Sequence, residues 1–198
     1  MAHLLAAALP GAVILEWEGM PERNDAPYSI GRLPLVGERA LILADEDPEL
    51  RIVYVMRDPR CVLISKHWKA PGQYWVSPDR WIACAQVATA MALMPAYADQ
   101  ARVVKFEDLV CAPLSIESDL LKFFGAKDAR KHFDELAASM RCSPEAALTM
   151  GGIRALDADR AASYKWASEE DKTYLRGVFE CNLPLVNLAQ VWGYGTSV

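Results

Sequence analysis

RIVYVMRDPRCVLISKH, residues 51–67, is the stretch that decides the fold. Its first part, Arg51 to Met56, is a continuous β-branched, aromatic and apolar run, the pattern of a strand buried on both faces. Asp58-Pro59 follows at once. Aspartate is a strong N-cap and proline suits the first helical position, so a helix is expected from Pro59 to about Trp68, ended by Pro71 and Gly72. Arg57 then stands at the carboxyl end of a buried strand, where open parallel sheets take their ligands. Free N–H groups and the positive dipole end of the adjacent helix would help hold an anion there, and Ser65, about two turns on, would offer a hydroxyl. The same residues also suit a structural role, with Arg57 paired to Asp58 or another acid and Ser65 simply helical.

Outward from this stretch, strands alternate with helices. On the N-terminal side, residues 2–9 read as helical, Ala12 to Trp17 as a short buried strand, Glu18 to Pro34 as a turn-rich loop, and Val36 to Ala44 as helical. On the other side, Ser77-Pro78-Asp79 opens a helix to about Asp99, and Arg102 to Phe106 is a second buried strand. Helices follow over about Leu114 to Phe124, stopped by Gly125, and over Asp128 to Ser139. Cys142 to Ser168 is mixed and broken at Gly151-Gly152; Ser168 caps a helix over about Glu169 to Cys181, with acids in its first turn. The order predicts a single α/β domain over residues 1–198, a mainly parallel sheet flanked by helices.

Composition narrows the function classes. With 198 residues, 53% hydrophobic and 24% charged, the chain is neither disordered nor of low complexity. A net charge of −5 supplies no basic footprint for nucleic acid, though a local pocket for one small anion stays open. Cys61, Cys84, Cys111, Cys142 and Cys181 are widely spaced, with no CxxC, and His3, His67 and His132 are equally scattered, so no metal site is expected. A reduced, cytoplasmic chain is the reading that fits the odd cysteine count. MAHLLAAALPGAVIL at the start is apolar, but it has no basic residue ahead of the run and Pro10-Gly11 breaks it; it reads as neither a signal peptide nor a membrane span.

RDPRCVLIS, residues 57–65, resembles the 3′-phosphate-binding motif of bacterial-type sulfotransferases that use 3′-phosphoadenosine 5′-phosphosulfate (PAPS). In that family a hydrophobic strand runs into R-D-P-R, with a serine eight positions after the first arginine; Arg57 and Ser65 occupy those places. VVKFEDL, residues 103–109, is similar to the family's strand ending in R-Y-E-D-L, and Pro113 with LLKFFG, residues 120–125, to its following helix. YWVSP, residues 74–78, with Trp81 resembles a segment of bacterial members, RAASYKW, residues 160–166, the loop that closes over the nucleotide, and Trp192-Gly193-Tyr194 a terminal G-Y.

The resemblance implies a P-loop-NTPase-like sulfotransferase fold, PAPS as donor co-substrate without a metal, and sulfuryl transfer to a hydroxyl or amine of a small-molecule or carbohydrate acceptor. It implies that Arg57 and Ser65 bind the 3′-phosphate of the nucleotide; Arg160 and Lys165, in the segment similar to the closing loop, suit further phosphate ligands, and as a solvated charge cluster they would look the same. Glu16 and Glu18, in LEWEG, hold the place of the catalytic base; as surface-loop acids they would look the same. Tyr74, Trp75 and Trp81 suit an acceptor pocket, an adenine stack or a core, with Trp81 read as core and His67 as structural. Lys105 is open to pairing with Glu107 or Asp108, and Asp108 to capping the next helix. The family's first strand and its loop G-x-x-R-S-G-T-S/T, which holds the 5′-phosphosulfate, have no counterpart here; residues 1–14 resemble the helix after that loop. Truncation relative to the family, or true loss of half the donor site, both follow. The second leaves a catalytically degenerate domain that binds PAP, the desulfated product, or a partner without turnover. A P-loop nucleotide kinase is disfavoured by the absent Walker lysine.

Overall fold

The structure is a computed structural model that describes residues 51–67, 70–125 and 158–198. The elements expected at residues 2–9, 12–17, 36–44 and 128–139 lie outside the described residues.

Strand β1 (Ile52–Met56) pairs in parallel with β4 (Ala101–Lys105), from Ile52 opposite Ala101 to Met56 opposite Lys105. Both strands therefore end at one edge, and Arg57 and Phe106 leave the sheet side by side. The crossover between them runs through helix α2 (Pro78–Leu93), which buries Trp81, Ala85, Ala88 and Met91 against the strand pair. This is the α/β layering that the alternating pattern predicts. Ile52, Tyr54 and Met56 are buried while Val53 and Val55 are half-buried, so β1 alternates rather than being equally covered on both faces.

Helix α1 (Pro59–Leu63) begins where expected, with Asp58 as N-cap, but stops five residues short of Trp68. The chain turns instead into an antiparallel hairpin of β2 (Lys66–His67) and β3 (Ala70–Tyr74), with Lys66 opposite Tyr74. The hairpin continues in the Trp75 N–H bond to the Ser65 carbonyl at 2.7 Å. Pairing with β3 supplies backbone partners that a longer helix would have supplied locally. Pro71 and Gly72 thus belong to a strand rather than to a helix stop.

Helix α2 also ends earlier than Asp99. Pro95 lacks an N–H and forces Met94 to an extended ψ of 122°, and a 3-10 turn over Pro95–Tyr97 leads into β4. Strand β4 ends at Lys105 rather than Phe106, and a short helix α3 (Phe106–Cys111) precedes α4 (Pro113–Phe123). The α4 N-cap is Ala112, without a side-chain bond, so Asp108 sits in the first turn of α3 instead of capping α4. Gly125 closes α4 with φ 65°, a left-handed conformation suited to glycine.

After α5 (Ala158–Ala161) and a 3-10 turn (Ser163–Trp166), α6 (Glu169–Cys181) starts on Ser168, as expected. Helix α7 (Leu183–Val191) is additional: Asn182 caps it by accepting the Leu185 N–H, and Pro184 sits in its first turn. It packs on α2, where Leu185 and Ala189 are fully buried with Leu175 and Leu63, and Trp192 donates its indole N–H to Thr89 at 3.0 Å. None of the described helices is long and apolar enough to cross a membrane.

Candidate functional site at the strand ends

The carboxyl edge of β1 and β4 gathers the RDPR, EDL and GY motifs and the 158–166 segment. The Arg57 guanidinium lies over the Phe106 ring, 4.6 Å from its centroid, and the residue is half-buried. Its backbone carbonyl accepts the Trp81 indole N–H at 3.1 Å. Trp81 is 5% exposed, as a core residue should be, yet its one polar atom reaches the motif.

The start of α1 does not offer open N–H groups. Pro59 has none, the Arg60 N–H is taken by Asp58 Oδ1 at 2.8 Å, and the Asp58 N–H by Glu107 Oε1 at 3.0 Å. With its helix start already satisfied by carboxylates, this corner offers an anion side-chain cations rather than backbone amides. That corrects the expectation of free N–H groups at this helix start.

The two arginines of RDPR have separate fates. Arg60 is 8% exposed and forks onto Asp58, with Nη2 2.7 Å from Oδ2 and Nε 3.1 Å from Oδ1. Its Nη1 donates to the Ser197 carbonyl at 3.0 Å and its guanidinium carbon lies over the Tyr164 ring, 3.7 Å from the centroid. Burial works against the Arg60 charge, but the Asp58 carboxylate outweighs it and holds the guanidinium above its ordinary value. Arg60 is thereby a tie between the motif, the 163–166 turn and the tail after α7. Arg57 carries its charge at the strand end itself.

Glu107 has two tasks: Oε1 accepts the Asp58 N–H, and Oε2 accepts the Tyr194 hydroxyl at 3.2 Å. Burial first, then the neighbouring Glu107 carboxylate, push the Tyr194 phenol up, so it stays protonated and donates. Lys105 forms no ion pair with Glu107 or Asp108; its Nζ lies 5.2 Å from the Tyr194 ring centroid.

Ser65 lies beyond α1 instead of on it, half-buried, with its hydroxyl donating to the Cys61 carbonyl at 3.0 Å. Cys61, next to Arg60, donates its thiol to the Ala161 carbonyl at 3.2 Å, which joins α1 to α5. Arg160 is within α5, and Lys165 is exposed on the adjoining turn beside Trp166, 75% exposed. The segment bearing Arg160 and Lys165 is thus packed on the RDPR helix. Glu16 and Glu18 lie outside the described residues. Tyr74 stacks on Tyr174 at 3.9 Å and donates to Asp171 at 3.0 Å, so it joins the hairpin to α6.

Sequence reasoning missed Asp58–Arg60 as a buried pair and Glu107 as a partner of Asp58. The repeated nearness of Asp to Arg in RDPR was a signal for the first. Nothing local signals the second, which spans 49 positions.

No protein-family model matches the chain, and no curated protein matches it. Among solved structures, the sulfotransferase domain from the curacin biosynthetic pathway is similar to it in fold, with a TM-score of 0.58 and 16% identity. The match covers 86% of this chain and 64% of that domain, so the chain spans less than two thirds of the structure it resembles. The chain thus shares the α/β fold of a sulfotransferase domain.

Proposed function

We propose that this chain is a sulfotransferase-type domain that binds the 3′-phosphate of PAPS or PAP at Arg57 and Ser65, with Arg160 and Lys165 adding charge from the 158–166 segment. The observation that carries the reading is the place of Arg57: a guanidinium at the carboxyl end of a buried parallel strand, with α5 and the 163–166 turn seated on the same corner. The residues present fit a phosphate monoester. A guanidinium would give such a group a charge-assisted, forked contact, and the Ser65 hydroxyl, which donates to the Cys61 carbonyl, would turn from it to reach the anion.

PAPS supplies the sulfuryl group, which passes to a hydroxyl or amine of a small-molecule or carbohydrate acceptor. Glu16 or Glu18 takes the acceptor proton. A reduced, cytoplasmic setting is the one that the odd number and wide spacing of the cysteines favour.

A second reading, nucleotide binding without turnover, is favoured by one fact: the 198 residues contain no G-x-x-R-S-G-T loop. Preorganised donors at a reacting anion are worth about 3–4 kcal/mol each, so a protein lacking all of them would lose transfer more than binding. Labelled PAPS with a panel of alcohol, phenol, amine and sugar acceptors separates the readings. Sulfated product supports the enzyme; PAP binding without product supports the binding domain. Absence of both overturns the proposal.

A further inference from the structure

The peptide unit joining Arg57 to Asp58 is held at both of its polar ends by side chains from two other elements. Its carbonyl accepts the Trp81 indole N–H from α2 at 3.1 Å, and its N–H donates to Glu107 Oε1 from α3 at 3.0 Å. Orientation of that peptide plane sets ψ of Arg57 and φ of Asp58, the two torsions that aim the strand end. Glu107 is itself held by the Tyr194 hydroxyl, and Phe106, the residue before it, carries the Arg57 guanidinium on its ring. Backbone and side chain of Arg57 are therefore both seated on the Phe106-Glu107 pair.

We propose that Trp81 and Glu107 are positioning residues that fix the direction of Arg57 by clamping its peptide plane, with Tyr194 holding Glu107 in place. This inference rests on the phosphate-binding role proposed for Arg57. A clamp of this kind matters because a bidentate contact tolerates little rotation: a guanidinium turned away from its anion loses the fork while keeping its charge. Removal of one clamp leaves Arg57 charged but free to sample other directions before binding, and the ordering then falls on the binding step.

The test compares PAP with 5′-AMP, which lacks the 3′-phosphate, by calorimetry on the full chain. Glu107→Ala and Trp81→Phe are each expected to weaken PAP about tenfold and to leave 5′-AMP unchanged. Glu107→Gln keeps an acceptor oxygen for the Asp58 N–H and is expected to bind PAP at least as well as the parent. Loss of a carboxylate near a phosphate would by charge alone tighten binding, so weaker binding by Glu107→Ala points to position rather than charge. In an Arg57→Ala background neither substitution should have a further effect. Equal losses for PAP and 5′-AMP, or losses that persist without Arg57, would overturn the clamp.

Amide hydrogen exchange on the unsubstituted protein gives a readout that needs neither a variant nor a ligand. The Asp58 amide and the Trp81 indole N–H should both be protected; exchange at free-loop rates would overturn the clamp. Should Arg57→Ala bind PAP as the parent does, the phosphate reading fails, and exchange alone decides whether the peptide is pinned.

Discussion

The Arg60 guanidinium lies over the Tyr164 ring, its carbon 3.7 Å from the ring centroid, and so fastens the 163–166 turn to the helix of the RDPR motif. The same guanidinium is forked to Asp58, which is 4% exposed. In a motif with two arginines, the second is structural. Its removal leaves a buried carboxylate without its counter-charge, a change that costs about 3–5 kcal/mol. Arg60→Ala should therefore lower the unfolding free energy by about that amount in urea titration. A loss below about 1 kcal/mol would mean that the pair is solvated like a surface ion pair.

Gly195 is set against Arg60. A Cβ at that position would come within 2.9 Å of Arg60 Nη1. The guanidinium cannot swing away freely, because Asp58 and the Ser197 carbonyl hold it. Gly195→Ala is expected to destabilise by about 1 kcal/mol, the lower range for an overpacked contact. Arg60→Ala should erase most of that penalty in the double variant. Additive losses would show that the strain lies elsewhere.

Asp171 titrates on the acid limb. Burial works against its charge, but hydrogen bonds from Lys66, Ser168 and Tyr74 prevail and hold its carboxyl at about 2, below the ordinary carboxylate range. Between about pH 4 and pH 2 the unfolded chain takes up the proton first, so stability from this group is complete above that window and lost as pH falls through it. Asp171→Asn should flatten the acid limb of the denaturation midpoint between pH 4 and pH 2. An unchanged limb would mean that the tie between hairpin and α6 contributes nothing.

Local chemistry made much of this fold legible. The β-branched run at 52–56, the Asp58-Pro59 start, the Ser77 and Ser168 caps and the Gly125 stop all appear where their side chains predict them. The hairpin of β2 and β3 was not legible, because partners for Lys66 and Tyr74 come from Asp171, about a hundred residues away. Helix α7 carries a local start signal, Asn182 followed by Pro184. At the site, the position of Arg57 followed from strand and cap alone. The Arg60 bond to the Ser197 carbonyl and the roles of Glu107 and Tyr194 depend on contacts across 49 to 137 positions, which no local pattern encodes.

The most direct measurement is PAP affinity of the parent chain and Arg57→Ala, with 5′-AMP as the ligand lacking the 3′-phosphate. A charge-assisted contact carries about 1.5–3 kcal/mol, so Arg57→Ala should bind PAP roughly 10- to 150-fold more weakly, with 5′-AMP little changed. Ser65→Ala should lose less, as a neutral hydroxyl does. Equal PAP affinity in the parent and in Arg57→Ala would contradict the assignment of this strand end as the phosphate site.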